Sequence, residues 1–151
     1  MSDYMEIETK IKDQEVLVQT LQKLGIPHEV HDEPQPLYGY LGKQRDQVAN
    51  VIIRRAHVGK ASNDLGFLNT GEALTAVISE FDQRGTDDRR GAGMLKRIVH
   101  EYTCTMVEKK AAARGYAAER INDGGVTRFR LTPNAPTTRS RTGRTQTRVR
   151  L

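Results

Sequence analysis

Over residues 6–12 polar and apolar side chains alternate, with Ile7, Thr9 and Ile11 on one side and Glu6, Glu8, Lys10 and Lys12 on the other. That period of two predicts a half-buried strand. Asp13 then offers an N-cap, and Glu15 places a negative charge where the helix dipole favours it. Leu17, Leu21 and Leu24 recur at helical spacing, and Gly25 ahead of Pro27 ends the helix. The pattern then loosens into a short strand at 28–32, a turn at 33–36 and a second short extended piece at 38–42. A firmer strand covers 48–55, centred on Val51, Ile52 and Ile53. Residues 65–69 and 73–79 read as a hairpin turning at Thr70-Gly71, and 80–93 as a charged loop.

From Met94 the period becomes helical. Leu95, Ile98, Val99, Tyr102, Met106 and Ala113 fall within about 100° of one another on a helical wheel, and Gly115 stops the run. Residues 116–121 and 126–131 then pair around Asn122-Asp123-Gly124-Gly125, with Thr127, Phe129 and Leu131 inward and Arg128 and Arg130 outward. Strands on hairpin-length loops plus two amphipathic helices predict an α+β fold, a largely antiparallel sheet with both helices packed on one face. No repeat at a solenoid period is present.

The chain has 151 residues, which suits a single α+β domain over 1–132. No apolar run approaches the roughly 18 residues of a membrane span, so no membrane role is expected. The N-terminus lacks a basic segment followed by an apolar one, which argues against a secretory signal. One Cys cannot build a disulfide framework and fits a reducing compartment. The formal charge of +5 is unevenly placed. Five of the 24 basic residues, and none of the 19 acidic ones, lie in 133–151, leaving the preceding part formally neutral. That Arg/Thr-rich tail has too little apolar surface to offset its ordering entropy and is expected to be disordered.

Several residue groups invite a chemical reading. His28 and His31, with Asp32 and Glu33, have no second ligand pair, so a polar strand edge is preferred to a metal site. His100 and Cys104 share a helix face opposite the apolar stripe, which suits a nucleophile pair or, more simply, a solvent-facing helix back. Gly59-Lys60-Ala61-Ser62 echoes a phosphate loop without its first glycine or the helix that should follow, and reads as a hairpin loop. Gly39, Tyr40, Gly42 and Lys43 form a segment whose glycines would let a ligand approach the backbone, with a bend in a strand as the structural alternative. Asp82, Asp87 and Asp88 sit among Arg84, Arg89 and Arg90 and read as a solvated mixed-charge loop. Arg139, Arg141, Arg144, Arg148 and Arg150 are the candidate contacts to phosphates or to an acidic protein. The absence of aromatic residues after Phe129 favours sequence-independent contact over base stacking.

The order IETKIKD at 7–13, an LxxLG-ended helix, GYLGK at 39–43, VIIR at 51–54, DLGF at 64–67 and a late Tyr-containing helix ending in RGY resembles the hypothetical chloroplast reading frame 35 family. That family comprises plastid and cyanobacterial proteins of unknown function. The similarity runs from Met5 to Leu131 and excludes the charged loop 83–93 and the tail. It implies a bacterial cytosol or plastid stroma and, by association only, a protein partner such as an AAA+ ATPase. It implies no catalytic residue, metal or other cofactor. Together these features point first to a non-catalytic binding or adaptor protein with a basic tail. A nucleic-acid-associated protein acting through the tail comes second, and an enzyme of unrecognised class third.

Overall fold

The computed structural model describes residues 3–84 and 91–135. The chain divides into two compact units, Met1–Met106 and Val107–Leu151. In the first unit lie β1 (Tyr4–Ile7), α1 (Gln14–Lys23), β2 (Glu29–Tyr38), β3 (Gln44–Ile53), α2 (Arg55–Val58), β4 (Leu65–Asn69), β5 (Leu74–Ser79) and α3 (Glu80–Gln83). The long helix α4 (Gly91–Ala113) begins in that unit, and β6 (Tyr116–Asp123) and β7 (Val126–Pro133) lie in the second. Five strands form an antiparallel sheet in the order β1-β5-β4-β3-β2, and β6 and β7 form a separate hairpin. The α+β class and the antiparallel sheet are therefore as expected, with two single-turn helices added.

Helix α1 forms where its local signals place it. The Val16 N–H donates to Asp13 Oδ1 at 3.2 Å, so the cap side chain satisfies one orphan donor. At the other end Ile26 N–H donates to Leu21 O and Gly25 N–H to Gln22 O, with Gly25 at φ 70. This is the paired hydrogen bonding of a glycine-terminated helix end. Leu17 and Leu21 are fully buried, and with Val16 they pack against one sheet face, on Val51, Ile53, Phe67, Ala76 and Ile78. Met94, Leu95, Ile98 and Tyr102 of α4 join the same core. The Tyr102 hydroxyl accepts hydrogen bonds from the N–H groups of Lys12 and Asp13, holding the entry to α1. A smaller cluster, Leu37, Ala49, Ile52 and Val77, is buried apart from this core.

The differences from expectation have tertiary causes. The first strand ends at Ile7 rather than running to Lys12, because Thr9 Oγ1 bonds to Leu74 O and Leu74 N–H donates to Ile11 O. These contacts take the chain out of the ladder and bury Ile11 completely. Residues 28–42 contain not two short extended pieces but one ten-residue strand. Its register runs Val30↔Val51 and resumes at Gln35↔Ala49, so residues 31–34 face Asn50 alone. The Asn50 amide fills that bulge, donating to His31 O and Asp32 O while its Oδ1 accepts from Asn69 N–H. Part of the expected charged loop is ordered as α3, capped by Ser79 Oγ, and α4 starts at Gly91 instead of Met94.

In the second unit, Gly124 and Gly125 at φ 59 and 85 make the two-residue turn between β6 and β7. Arg128 and Arg130 face outward as expected, whereas Leu131 is 52% exposed and does not turn inward. A bidentate pair joins Arg120 to Glu108, at 2.9 and 3.1 Å.

Gly66 occupies the tightest strand crossing. A Cβ there would lie 2.5 Å from Ala49 Cβ and 3.1 Å from Leu37 Cδ2. Gly66→Ala is expected to cost about 1–3 kcal/mol by overpacking, read as a lower urea midpoint with an unchanged m-value.

Candidate functional site

The GYLGK segment is the turn that closes the β2–β3 hairpin, not a bend within a strand. Gly39 N–H donates to Lys43 O at 2.8 Å and Gly42 N–H to Gly39 O at 2.9 Å. Leu41 sits in the left-handed region at φ 72, a conformation that costs a non-glycine residue on the order of 1 kcal/mol or more. Folding leaves that side chain 80% exposed, beside a half-exposed Tyr40. The Arg55 guanidinium lies 5.8 Å over the Tyr40 ring.

Buried polar groups hold this turn from below. Tyr40 N–H donates to Asn63 Oδ1 at 2.7 Å, and a Cβ on Gly39 would come within 3.1 Å of that same oxygen. Asp64 is 1% exposed, and its carboxylate accepts from Tyr38 N–H, Arg55 N–H and Arg54 Nη1, each at 2.7 Å. Its own N–H donates to Tyr38 O, and its carbonyl accepts from the Tyr4 hydroxyl at 2.9 Å. Burial pushes the Tyr4 phenol well above its ordinary pKa, and the Asp64 charge adds to the effect. The Tyr4 ring also carries the Arg45 guanidinium at 5.3 Å.

Arg54 extends the cluster outward. Its Nε and Nη2 bind Glu29 bidentately, both at 2.8 Å, and His31 Nε2 meets the same carboxylate at 2.9 Å. The Arg54 hydrogen bonds, aided by His31 and opposed by partial burial, hold the Glu29 carboxyl down at about 2. Asp64 and Glu29 are thus saturated by donors and act as struts. Asp82 is also buried, 3% exposed, where the sequence suggested a solvated loop acid. Its Oδ2 accepts from Ser79 Oγ and Asn63 N–H. Among the described residues, Asp82 Oδ1 and Ser62 Oγ have no hydrogen-bond partner.

The other candidates separate. His28 bonds to Ile26 O while His31 serves Glu29, and among the described residues no three potential metal ligands gather. His100 and Cys104 do meet, at 3.7 Å, but the thiol is 2% exposed and so is not on a solvent-facing helix back. Gly59-Lys60-Ala61-Ser62 lies in the connection between α2 and β4. Arg128 and Arg130 are paired with Asp123 and Glu119 across the hairpin. Arg139, Arg141, Arg144, Arg148 and Arg150, like Asp87 and Asp88, lie outside the described residues. Sequence reasoning missed Arg54, Asn63 and Asp64. The available signal was the polar run Ser62-Asn63-Asp64 pressed against the apolar strand at 65–69, a costly placement unless those groups are hydrogen-bonded.

The fold and this site define an α+β protein with an exposed apolar turn fastened to a buried charge network. Residues 20–132 match the family described as a protein of unknown function (DUF1257), and the chain belongs to that family. No curated protein and no solved structure matches it. Among the described residues no helix is long and apolar enough to cross a membrane.

Two outcomes test the network. Asp64→Ala leaves the Tyr38 and Arg55 N–H groups without their acceptor and is expected to cost about 1–3 kcal/mol for each in chemical denaturation. Because the Glu29 carboxyl is depressed to about 2, its pair with Arg54 stabilises fully above the ordinary carboxylate range and is lost as pH falls toward 2. Glu29→Gln should therefore flatten the acid limb of the stability–pH curve while changing the stability difference between pH 6 and 8 little.

Proposed function

We propose that this protein is a non-catalytic binding protein, an adaptor, and that it engages a protein partner through the turn at 39–43. The observation that carries this reading is Leu41, a large apolar side chain held in a left-handed conformation and left 80% in water. Burial gains nothing from that placement, and strain of this kind persists only where the surroundings over-determine it. A turn already fixed by Asn63 and Asp64 loses little conformational entropy on docking. Tyr40 and Leu41 would anchor in an apolar pocket, with Lys43 and Arg55 meeting an acidic rim. The resemblance to the chloroplast reading frame 35 proteins supports a plastid or cyanobacterial setting, in stroma or cytosol, and an AAA+ ATPase as the first partner to present. The charge excess confined to 133–151 favours a second reading, in which the tail contacts nucleic-acid phosphates.

Capture from a native lysate separates these readings, using the full chain, Leu41→Asp, and a variant with the five tail Arg changed to Gln, each with and without nuclease. The adaptor reading expects one defined partner that survives nuclease, with recovery reduced about ten-fold or more in Leu41→Asp at an unchanged melting temperature. Capture lost with nuclease and with the tail arginines, but indifferent to Leu41, would replace it with the nucleic-acid reading.

A further inference from the structure

On α4, Gly93 stands three and four residues before Lys96 and Arg97, which stand four and three residues before His100, so the four form one patch of helix surface. Among the described residues these four line a cleft of about 320 Å³, remote in sequence from the turn at 39–43. The first half of the helix, from Gly91 to Tyr102, carries one acid, Glu101. Glu101 stands one turn beyond Arg97 but bridges to Lys23 Nζ at 3.3 Å. Among the described residues neither Lys96 nor Arg97 has an ion-pair partner, whereas Arg54, Arg120, Arg128 and Arg130 all do.

Among the described residues the cleft therefore has two cations without an ion-pair partner, with Gly93 and the exposed His100 beside them. An arginine fork and a lysine point charge are complementary to a tetrahedral, doubly charged oxyanion, more so than to a single carboxylate. The volume lies at the lower end of the small-ligand range. We propose that this cleft binds a small phosphorylated ligand, with Arg97 and Lys96 on the phosphate oxygens and His100 at its edge. The site is independent of the partner surface proposed above.

The test is an NMR titration of the isotopically labelled full chain at constant ionic strength, with pyrophosphate as probe, a nucleoside monophosphate in a second arm and acetate in a third. The expected result is saturable shifts in the amides of Gly93, Lys96, Arg97 and His100 with one or both phosphates. In Lys96→Ala/Arg97→Ala the affinity should fall about ten-fold or more, since two charge-assisted contacts are lost. Both side chains are exposed, so an unchanged melting temperature is expected to show that the variant is folded. Shifts confined to the five tail arginines, shifts that never saturate, affinity unaltered in the double variant, or acetate binding as tightly as the phosphates would each overturn the proposal.

Discussion

A carboxylate buried to 1% exposure can persist only if its charge is answered from within, and the Asp64 carboxylate is answered by three donors. One comes from Arg54, which follows β3, one from Arg55, which begins α2, and one from the last residue of β2, while a phenol from β1 reaches the Asp64 backbone carbonyl. β1 and β2 are the two outer strands of the sheet, yet both bond to this one residue. The five-stranded sheet must therefore be coiled strongly enough for its edges to share a partner, as the right-handed twist of strands permits. Gly66, with no room for a Cβ between Ala49 and Leu37, marks how closely the strands cross in that coil.

The same network gives the charges around the turn a part in stability and geometry. Asp64 and Glu29 have their lone pairs occupied by Arg54, Arg55, Tyr38 and His31, which suits them to fix backbone positions. What remains outward is Tyr40, Leu41 and Lys43 on a turn whose shape is set before any partner arrives. On the binding reading this is pre-organisation. The strain at Leu41 is held by buried groups elsewhere, so it is already present when contact is made. The α4 cleft has the opposite character: among the described residues its Lys96 and Arg97 have no ion-pair partner, and Glu101, one turn beyond Arg97, bridges to Lys23 of α1.

Local signals proved readable wherever their causes lie within a few residues. Asp13, the Leu17–Leu21 spacing and Gly25 define α1 because caps and helical stripes act over one turn. The Gly124-Gly125 hairpin is legible because positive φ at two adjacent positions is a local demand. By contrast, the continuity of β2 depends on Asn50 filling its bulge, 18 and 19 residues from the carbonyls it satisfies, with Asn69 N–H holding the Asn50 amide in place. Asp82 and Cys104 looked exposed from sequence because charge and helical phase say nothing of what the rest of the chain lays over them.

The candidate site divides the same way. The glycines at 39 and 42 marked the turn, since glycine spacing records a backbone requirement that neighbours in sequence share. The residues that hold it, Arg54, Asn63 and Asp64, became partners of 38–40 only once β2, β3 and β4 were laid side by side. By itself the sequence determined the α+β class, the two amphipathic helices, the hairpins and the concentration of positive charge in 133–151, because these follow from periodicity, turn chemistry and composition. Only the tertiary structure decided which polar side chains are buried and paired, and which apolar ones are left in water. Those outcomes depend on contacts between strands distant in sequence, where a side chain's environment is set by whatever the sheet brings against it.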